Sequence, residues 1–559
     1  MTAEARSTET EQLLGDLRAL VSRQAEQIAA AQTELAQARA EIAGLRARLE
    51  GPDPPAPPPA STGDAIAALR AKRARLKETR KRRTARRQAT ATPRRRGKRT
   101  PRADRLVMDE TRTIPLDPAE LPADARFKGY VIRRFQDVEL IRRNTAFRLA
   151  KYYSPSERKT FQAPLPAGYF GEFGPDLRAF CLTLYWDTNT SEAPLRRLLL
   201  DTGVRISVGQ IANLVAHPPA SMHAEKRAMH EAGVQAAPYA QMDGTFTACD
   251  GESMQCHVVV NEVMTSFVTT PTKERVAAIG VVGGGAPEHL LTEAVMEALE
   301  PPSAHREALA KFPRDQVVSA PVFEDLITTH LSWAGKERLR HLREATALAA
   351  LKVRLPLLPP VLMTDDAKNY AGIFADQGLC WIHRLRTLDE LNSTVVEWQT
   401  EIESAQDLAW AFYERLKTWA PAPDTSQIAV LEQDFDATFV RGVACPCLQR
   451  VLDTVASKKR ALLAVLRHPA LPLHNNGSEI EQRRRVRKRD VSFGPRSAAG
   501  LLAWDTMQSL VATARKLGLN FMAYVSDRIR GLGEIPPLAE ILRTVATGRG
   551  LMPAPAPSV

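Results

Sequence analysis

Apolar residues recur every seven positions near the start of the chain, at Leu14, Val21, Ile28, Leu35, Ile42 and Leu49. Leu17, Gln24, Ala31, Ala38 and Leu45 sit three positions further on. An a/d seam that is aliphatic at every a position predicts a coiled coil over residues 10–50. The small d residues Ala31 and Ala38 suit a close helix–helix contact, so the seam predicts a homo-oligomer, expected to be a dimer, with Gln24 helping to set register. GPDPPAPPPASTG at 51–63 ends the helix, since proline cannot continue it and favours an extended spacer. A second helix is expected from Asp64 as N-cap, running into a basic arm that ends at residue 105.

From residue 106 the pattern turns globular. YVIRRF (130–135), TAFRLAKYYS (145–154) and KTFQAPLP (159–166) read as short strands of a small β-rich domain over 106–168. Residues 169–235 read as helical. PDLRAFCLTLYW is apolar on one face; a further helix, a turn at Thr202-Gly203 and a helix capped by Ser207 follow, with Ile211, Leu214 and Val215 facing inward. A helix-turn-helix offering its second helix to a DNA groove and a plain helical hairpin both satisfy this pattern.

The period then changes. QMDGTFTACDG and ESMQCHVVVNEVMTSFVTT predict antiparallel strands around a turn at Asp250-Gly251. PPVLMTDDAKNY predicts a short strand opening onto a polar edge, GLCWIHRL a strand passing into a helix, and SAAGLLAWDTMQSLVATARKLG (497–518) a long amphipathic helix. Strands first, then strands alternating with helices, predict an α/β core interrupted by a helical insert. The expected boundaries are 236–383 and 471–535 for the core, 384–470 for the insertion, and 536–559 for a tail whose PAPAPSV end is loose.

Composition sharpens this picture in three ways. No apolar run approaches the roughly 20 residues needed to cross a bilayer, which predicts no membrane partner. MTAEARSTETEQLL has no basic-then-apolar leader, and six cysteines are too few for a disulfide scaffold, so a reducing cytoplasm is expected. The net charge of +12 is local: residues 71–105 hold 17 Lys/Arg against Glu78 and Asp104, a net of +15, which leaves −3 for the rest. An arm so dense self-repels, and a polyanion is its natural partner. Its candidate DNA contacts are Arg80, Lys81, Arg82, Arg83, Arg86, Arg87, Arg94, Arg95 and Arg96.

Three acids stand where acids are otherwise unwelcome. Asp243 lies inside an apolar strand, Asp365 ends VLM-Thr364, and Glu479 follows Asn475-Asn476 just ahead of a basic run. Strand ends that project carboxylates toward one edge gather hard oxygen ligands for Mg²⁺, and two such ions suit in-line phosphoryl displacement. Asp250, Asp366 and Glu481 are the register alternatives. In the run Arg483, Arg484, Arg485, Arg487, Lys488 and Arg489, position right after the third carboxylate predicts contact with a DNA backbone. Cys380 and His383 supply only two metal ligands, too few for structural zinc. His383 either packs beside the acidic edge or approaches a phosphate. Cys445-Pro446-Cys447 reads as structural, and Gly283-Gly284-Gly285 as a loop.

On these residues the chain resembles the insertion-sequence-sixty-six family of bacterial transposases over roughly residues 10–530. FKGYVIRRFQDVELIRRNTAFRLAKYYSPSERKTFQAPLPAGYFGEFGP resembles that family's β-rich segment, and APLRRLLLDTGVRISVGQIANLV its helix-turn-helix. Asp243-Gly244-Thr245 stands where the family usually has Asp-Glu-Thr. Thr364-Asp365 followed by Tyr370 matches the second position, Cys380-Trp381-Ile382-His383 with Arg386 matches Cys-x-x-His-x-x-Arg, and Asn475-Asn476-Gly477-Ser478-Glu479 matches Asn-Asn-x-x-Glu. Three features depart: His474 precedes the Asn pair in place of Asp, Ile480 replaces an Arg, and no cysteine precedes Cys181, so the N-terminal zinc module of many relatives is missing.

The resemblance implies a multidomain α/β protein with a ribonuclease-H-like core, holding two Mg²⁺ (Mn²⁺ able to substitute) on a catalytic triad of Asp243, Asp365 and Glu479. His383, Arg386, Asn475 and Asn476 would support the site. The implied activity is DNA transposition: cutting at element ends to expose a 3′-hydroxyl, then joining it to target DNA. Partners would be both DNAs, a second copy of the chain and accessory transposon proteins, in a bacterial cytoplasm beside the nucleoid. His474 and Ile480 keep open a repurposed DNA-binding relative, and the triad without its arm would suit a metal-dependent DNA nuclease.

Overall fold

The computed structural model describes residues 108–117, 125–366 and 368–551. The coiled coil expected at 10–50, the linker at 51–63 and the arm at 64–105 lie outside the described residues. The chain divides into two units, 1–137 and 138–559. In the first, residues 108–117 and 125–137 carry no helix or strand. The strand expected at 130–135 is therefore not formed. Val131, Ile132 and Phe135 are 83%, 70% and 85% exposed, and a strand without a partner to pair or a face to bury has little to hold it.

The second unit opens with a small hairpin, Lys151–Ser154 (β1) against Lys159–Gln162 (β2), which is what remains of the expected β-rich domain. Helices Pro175–Trp186 (α1), Glu192–Asp201 (α2), Val208–Ala216 (α3) and Ala220–Gln235 (α4) follow. Ser207 caps α3 in a full capping box: its side chain accepts from Gln210 N–H while the Gln210 side chain accepts from the Ser207 N–H. Leu195, Ile206, Ile211 and Met222 join the same apolar core as Met242 and Trp504, so this helical region is continuous with the α/β core and not a module of its own.

Tyr239–Cys249 (β3), Glu252–Val260 (β4) and Thr265–Thr270 (β5) form an antiparallel meander. Asp250 and Gly251 both adopt positive φ, 52° and 81°, in the tight turn that matches strand twist. After helix Arg275–Val282 (α5) come the short strands Glu288–Leu290 (β6) and Val317–Ser319 (β7), then the long helix Lys336–Arg354 (α6). That block has its own core around Leu309, Phe312, Phe323 and Ile327, a separate cluster that the sequence pattern did not distinguish. Val361–Thr364 (β8) and Asp376–Leu379 (β9) then add to β3 in parallel, giving a mixed sheet of order β5-β4-β3-β8-β9.

Beyond β9, Trp381–Asp389 (α7), Val396–Trp419 (α8), Ile428–Phe439 (α9) and Pro446–Ser457 (α10) enclose a third core around Trp381, Phe412, Phe435 and Phe439. The chain returns with Asn476–Ser492 (α11) and Ala498–Leu517 (α12). Edge strand β5 is covered by α12. The N–H groups of Thr265, Phe267 and Thr269 donate to Thr513 Oγ1, Ser509 Oγ and Asp505 Oδ2, at 3.1, 2.8 and 2.7 Å. A strand's period of two thus meets a helix's step of four, and the edge is closed to further pairing. The expected tail at 536–559 is in part a helix, Leu538–Gly548, whose Leu538, Leu542 and Ala546 are fully buried. Among the described residues no helix is long and apolar enough to cross a membrane.

Candidate active site

The parallel pairing of β3 with β8 sets Tyr239 against Val361, Ala240 against Leu362 and Gln241 against Met363. Asp243 lies two residues beyond the last paired position of β3, and Asp365 two beyond that of β8, just past the strand's end at Thr364. Glu479 arrives from the first turn of α11. That turn is pinned to β3 by polar side chains. Asn475 Nδ2 donates to Met242 O at 3.0 Å, and Gln241 Oε1 accepts from Ser478 N–H at 3.3 Å. Gln482 Nε2 reaches both Asp243 O at 3.2 Å and Cys256 O at 2.9 Å.

Asp243 feels the other two acids. Burial, with the carboxylates of Asp365 and Glu479 adding to it, pushes Asp243 up to about 6, against the Gly244 N–H that donates to it at 2.8 Å. Burial and the charges of Asp243 and Asp365 raise the Tyr370 phenol, whose oxygen lies 3.3 Å from His257 Nδ1. His257, itself pressed down to about 4 by burial, reaches Thr270 Oγ1 at 3.1 Å. A Cβ on Gly244 would stand 3.3 Å from both His257 Nδ1 and the Tyr370 hydroxyl. The residue after Asp243 is therefore tightly walled.

The rival acids are placed elsewhere. Asp250 sits in the hairpin turn, seven residues from Asp243 along β3, on the order of 23 Å of strand. Asp366, at φ 87°, pairs with Arg384 at 3.2 Å and Lys458 at 3.1 Å. Glu481 is buried and pairs with Arg484 at 2.6 Å. Its Oε2 has no hydrogen-bond partner, and neither has the enclosed Glu479 Oε1, which lies 3.9 Å from His383 Nδ1. His383 thus lies beside the third acid. Cys380, whose thiol is raised by burial, joins them, so that a sulfur, a ring nitrogen and a carboxylate oxygen fall within 4.8 Å of one another. Sequence spacing offered only the first two.

The chain is 30% identical over 323 residues, 57% of its length, to the Uncharacterized protein y4jO of Sinorhizobium fredii, and the match spans the whole of that relative. The chain belongs to the family of y4jO. No family model matches it. The description of y4jO names no activity.

The basic run of this y4jO-family chain divides by helical face, and two of its expected DNA contacts need correction. Arg485 and Lys488 are buried. Arg485 bonds Gln508 Oε1 and Asp505 Oδ1, each at 2.7 Å, and its guanidinium lies 4.9 Å from the Trp504 ring centroid. Lys488 donates to Tyr185 O at 2.6 Å and sits 3.2 Å from the Tyr185 ring centroid. Both cations anchor α11 to the core and are closed to a phosphate. Arg489 is half-buried and bonds Phe246 O at 2.7 Å. Arg483, Arg484 and Arg487 are exposed, as is Arg386 on α7. Asn476, the first residue of α11, is half-buried. Gln482, Arg384 and Lys458 were missed by sequence reasoning. Gln482 carried a usable signal, being one helical turn beyond Glu479.

Proposed function

We propose that the protein is a DDE-type DNA transposase that cuts at element ends to expose a 3′-hydroxyl and joins it to target DNA. One observation carries this reading: the charges of Asp365, just past the end of β8, and of Glu479, from a helix packed across β3, both add to the rise of Asp243 on β3. A meander continued by two parallel strands, with acids on its first and fourth strands, supports reading the core as ribonuclease-H-like.

The donor set fits hard divalent cations. Asp243 carries the charge influence of both Asp365 and Glu479, Glu479 Oε1 has no hydrogen-bond partner, and the repulsion felt by Asp243 is what a cation relieves. Two Mg²⁺, with Mn²⁺ as substitute, when bound supply Lewis-acid stabilisation of the attacking and leaving oxygens of phosphoryl transfer. The chain's own residues hold the geometry. Strands β3 and β8 fix the two aspartates, and Asn475 and Gln482 fix the turn that carries Glu479. Glu479, Arg483 and Arg487 follow at steps of four along α11, so the exposed guanidinium groups extend from the acids along one face for the DNA backbone. His383 packs against Glu479, and Arg386 is exposed one turn further on α7. Nucleoid association follows from the same reading.

A strand-transfer assay tests it, with DNA flanking the gene as donor, a plasmid target, and Mg²⁺ or Mn²⁺. The expected result is joining by the wild type, and DNA binding without joining by Asp243→Asn, Asp365→Asn and Glu479→Gln. Binding with no cutting by the wild type would favour the repurposed relative. Cutting with no joining would favour the nuclease.

A further inference from the structure

Next to the acidic pair lies a cluster of different chemistry. Cys380 immediately precedes α7, and His383 follows it by three positions, so both face the same side of the helix start. The Cys380 N–H donates to Thr364 O at 3.0 Å, and its sulfur accepts from Asn475 N–H at 3.3 Å, which brings in the turn bearing Glu479. Sγ of Cys380, a ring nitrogen of His383 and a carboxylate oxygen of Glu479 lie within 4.8 Å of one another. His383 Nδ1 and Glu479 Oε1 are both enclosed and lack hydrogen-bond partners. Enclosed polar atoms left unmatched are costly, so the arrangement favours something that satisfies both.

We propose that Cys380, His383 and Glu479 form a binding site for a borderline-soft divalent cation, with Zn²⁺ as its occupant and a fourth position open. Zinc bonds of about 2.3 Å to sulfur and 2.0–2.2 Å to nitrogen and oxygen put tetrahedral ligand atoms roughly 3.3–3.6 Å apart. The observed 3.9 Å between His383 Nδ1 and Glu479 Oε1 needs a closure of about half an ångström, and the sulfur, within 4.8 Å of both, needs to approach by up to about 1.2 Å. A thiolate and an imidazole select zinc over magnesium, so the site is chemically distinct from the carboxylate pair although it shares Glu479. Its basis is the donor atoms, independent of the transposase reading. On that reading, zinc held here takes Glu479 away from magnesium and suppresses strand transfer.

The test uses the metal-stripped full-length chain, titrated with Co²⁺ as a coloured stand-in for Zn²⁺ and then with Zn²⁺ in competition. One equivalent of cobalt should give a thiolate-to-cobalt charge-transfer band that zinc abolishes. Cys380→Ser should lose the band. His383→Ala, at a partly exposed position where folding is not at stake, should weaken zinc by more than about 100-fold, beyond the 10–100-fold typical of an outer-shell partner. Asp243→Asn, which tests the triad alone, should leave the band intact, as should the Cys445→Ala/Cys447→Ala double variant. A band that survives Cys380→Ser, or zinc affinity unmoved by His383→Ala, overturns the proposal. So does a band that vanishes with Asp243→Asn or with the double variant.

Discussion

Asp243 combines the features of a site that is poised at the expense of stability. Its carboxyl ionises near 6 in the folded chain and near 3.9 when unfolded. Between those values the folded state binds more protons, so stability falls as pH rises through the window, and the full loss is present above it. With chelator present, Asp243→Asn should therefore be more stable than wild type by about 3 kcal/mol at pH 8, a difference that shrinks to nothing toward pH 4. Denaturant unfolding at the two pH values checks this, and a variant less stable at pH 8 would contradict it. The basic run of α11 gives a second contrast. Arg485→Ala removes the cation beside the half-buried Asp505 carboxylate, which keeps its bonds to Thr269, and should cost about 2–3 kcal/mol. Arg487→Ala should change stability by less than about 0.5 kcal/mol yet lower the salt slope of DNA binding by about 1. The placement of Asp243 on β3 and of Asp365 at the end of β8 was legible in the apolar segments that carry them, whereas Glu479 was marked only by the Asn pair before it and the basic run after it. The buried cations were not legible, because Tyr185, the partner of Lys488, lies 303 residues away. The helical period 478, 481, 482, 485, 488 did mark an inner face, but a run of charges invites reading as surface.

The elements show where sequence patterning succeeds. Strands β3 to β5 carried their own turn and apolar alternation, β8 was a compact apolar run, and α12 was a long amphipathic stripe. Each is decided by local pattern plus burial. Residues 130–135 had the pattern without a surface to pair with, so no strand forms. The block around Leu309 and Phe323 escaped notice because its helices are short and its core is assembled from segments that resemble those of the main domain. Docking of α11 on β3 depends on Gly477, where a Cβ would lie 2.5 Å from Gln241 Oε1, an atom already engaged by Ser478 N–H. Gly477→Ala should push the first turn of α11 off the strand, costing about 1–3 kcal/mol and displacing Glu479. Strand transfer should then fall well beyond what the stability loss explains; full activity would show that the close approach is not needed.

At the scale of the whole molecule, the sheet and its covering helices hold the acids, while the segments expected to supply dimerisation and bulk DNA affinity lie in residues 10–105. Removing 11–50 should convert a dimer to a monomer by light scattering, and an unchanged mass would remove the coiled coil from the account. The central claim is that Asp243, Asp365 and Glu479 together hold two divalent ions, and Mn²⁺ binding to the full-length chain, followed by electron paramagnetic resonance, tests it most directly. The expected result is two ions per chain in the wild type, with exchange coupling from a pair about 3.5–4 Å apart. That coupling should be lost in each of Asp243→Asn, Asp365→Asn and Glu479→Gln. Uncoupled manganese, or a coupled pair that survives all three substitutions, would contradict it.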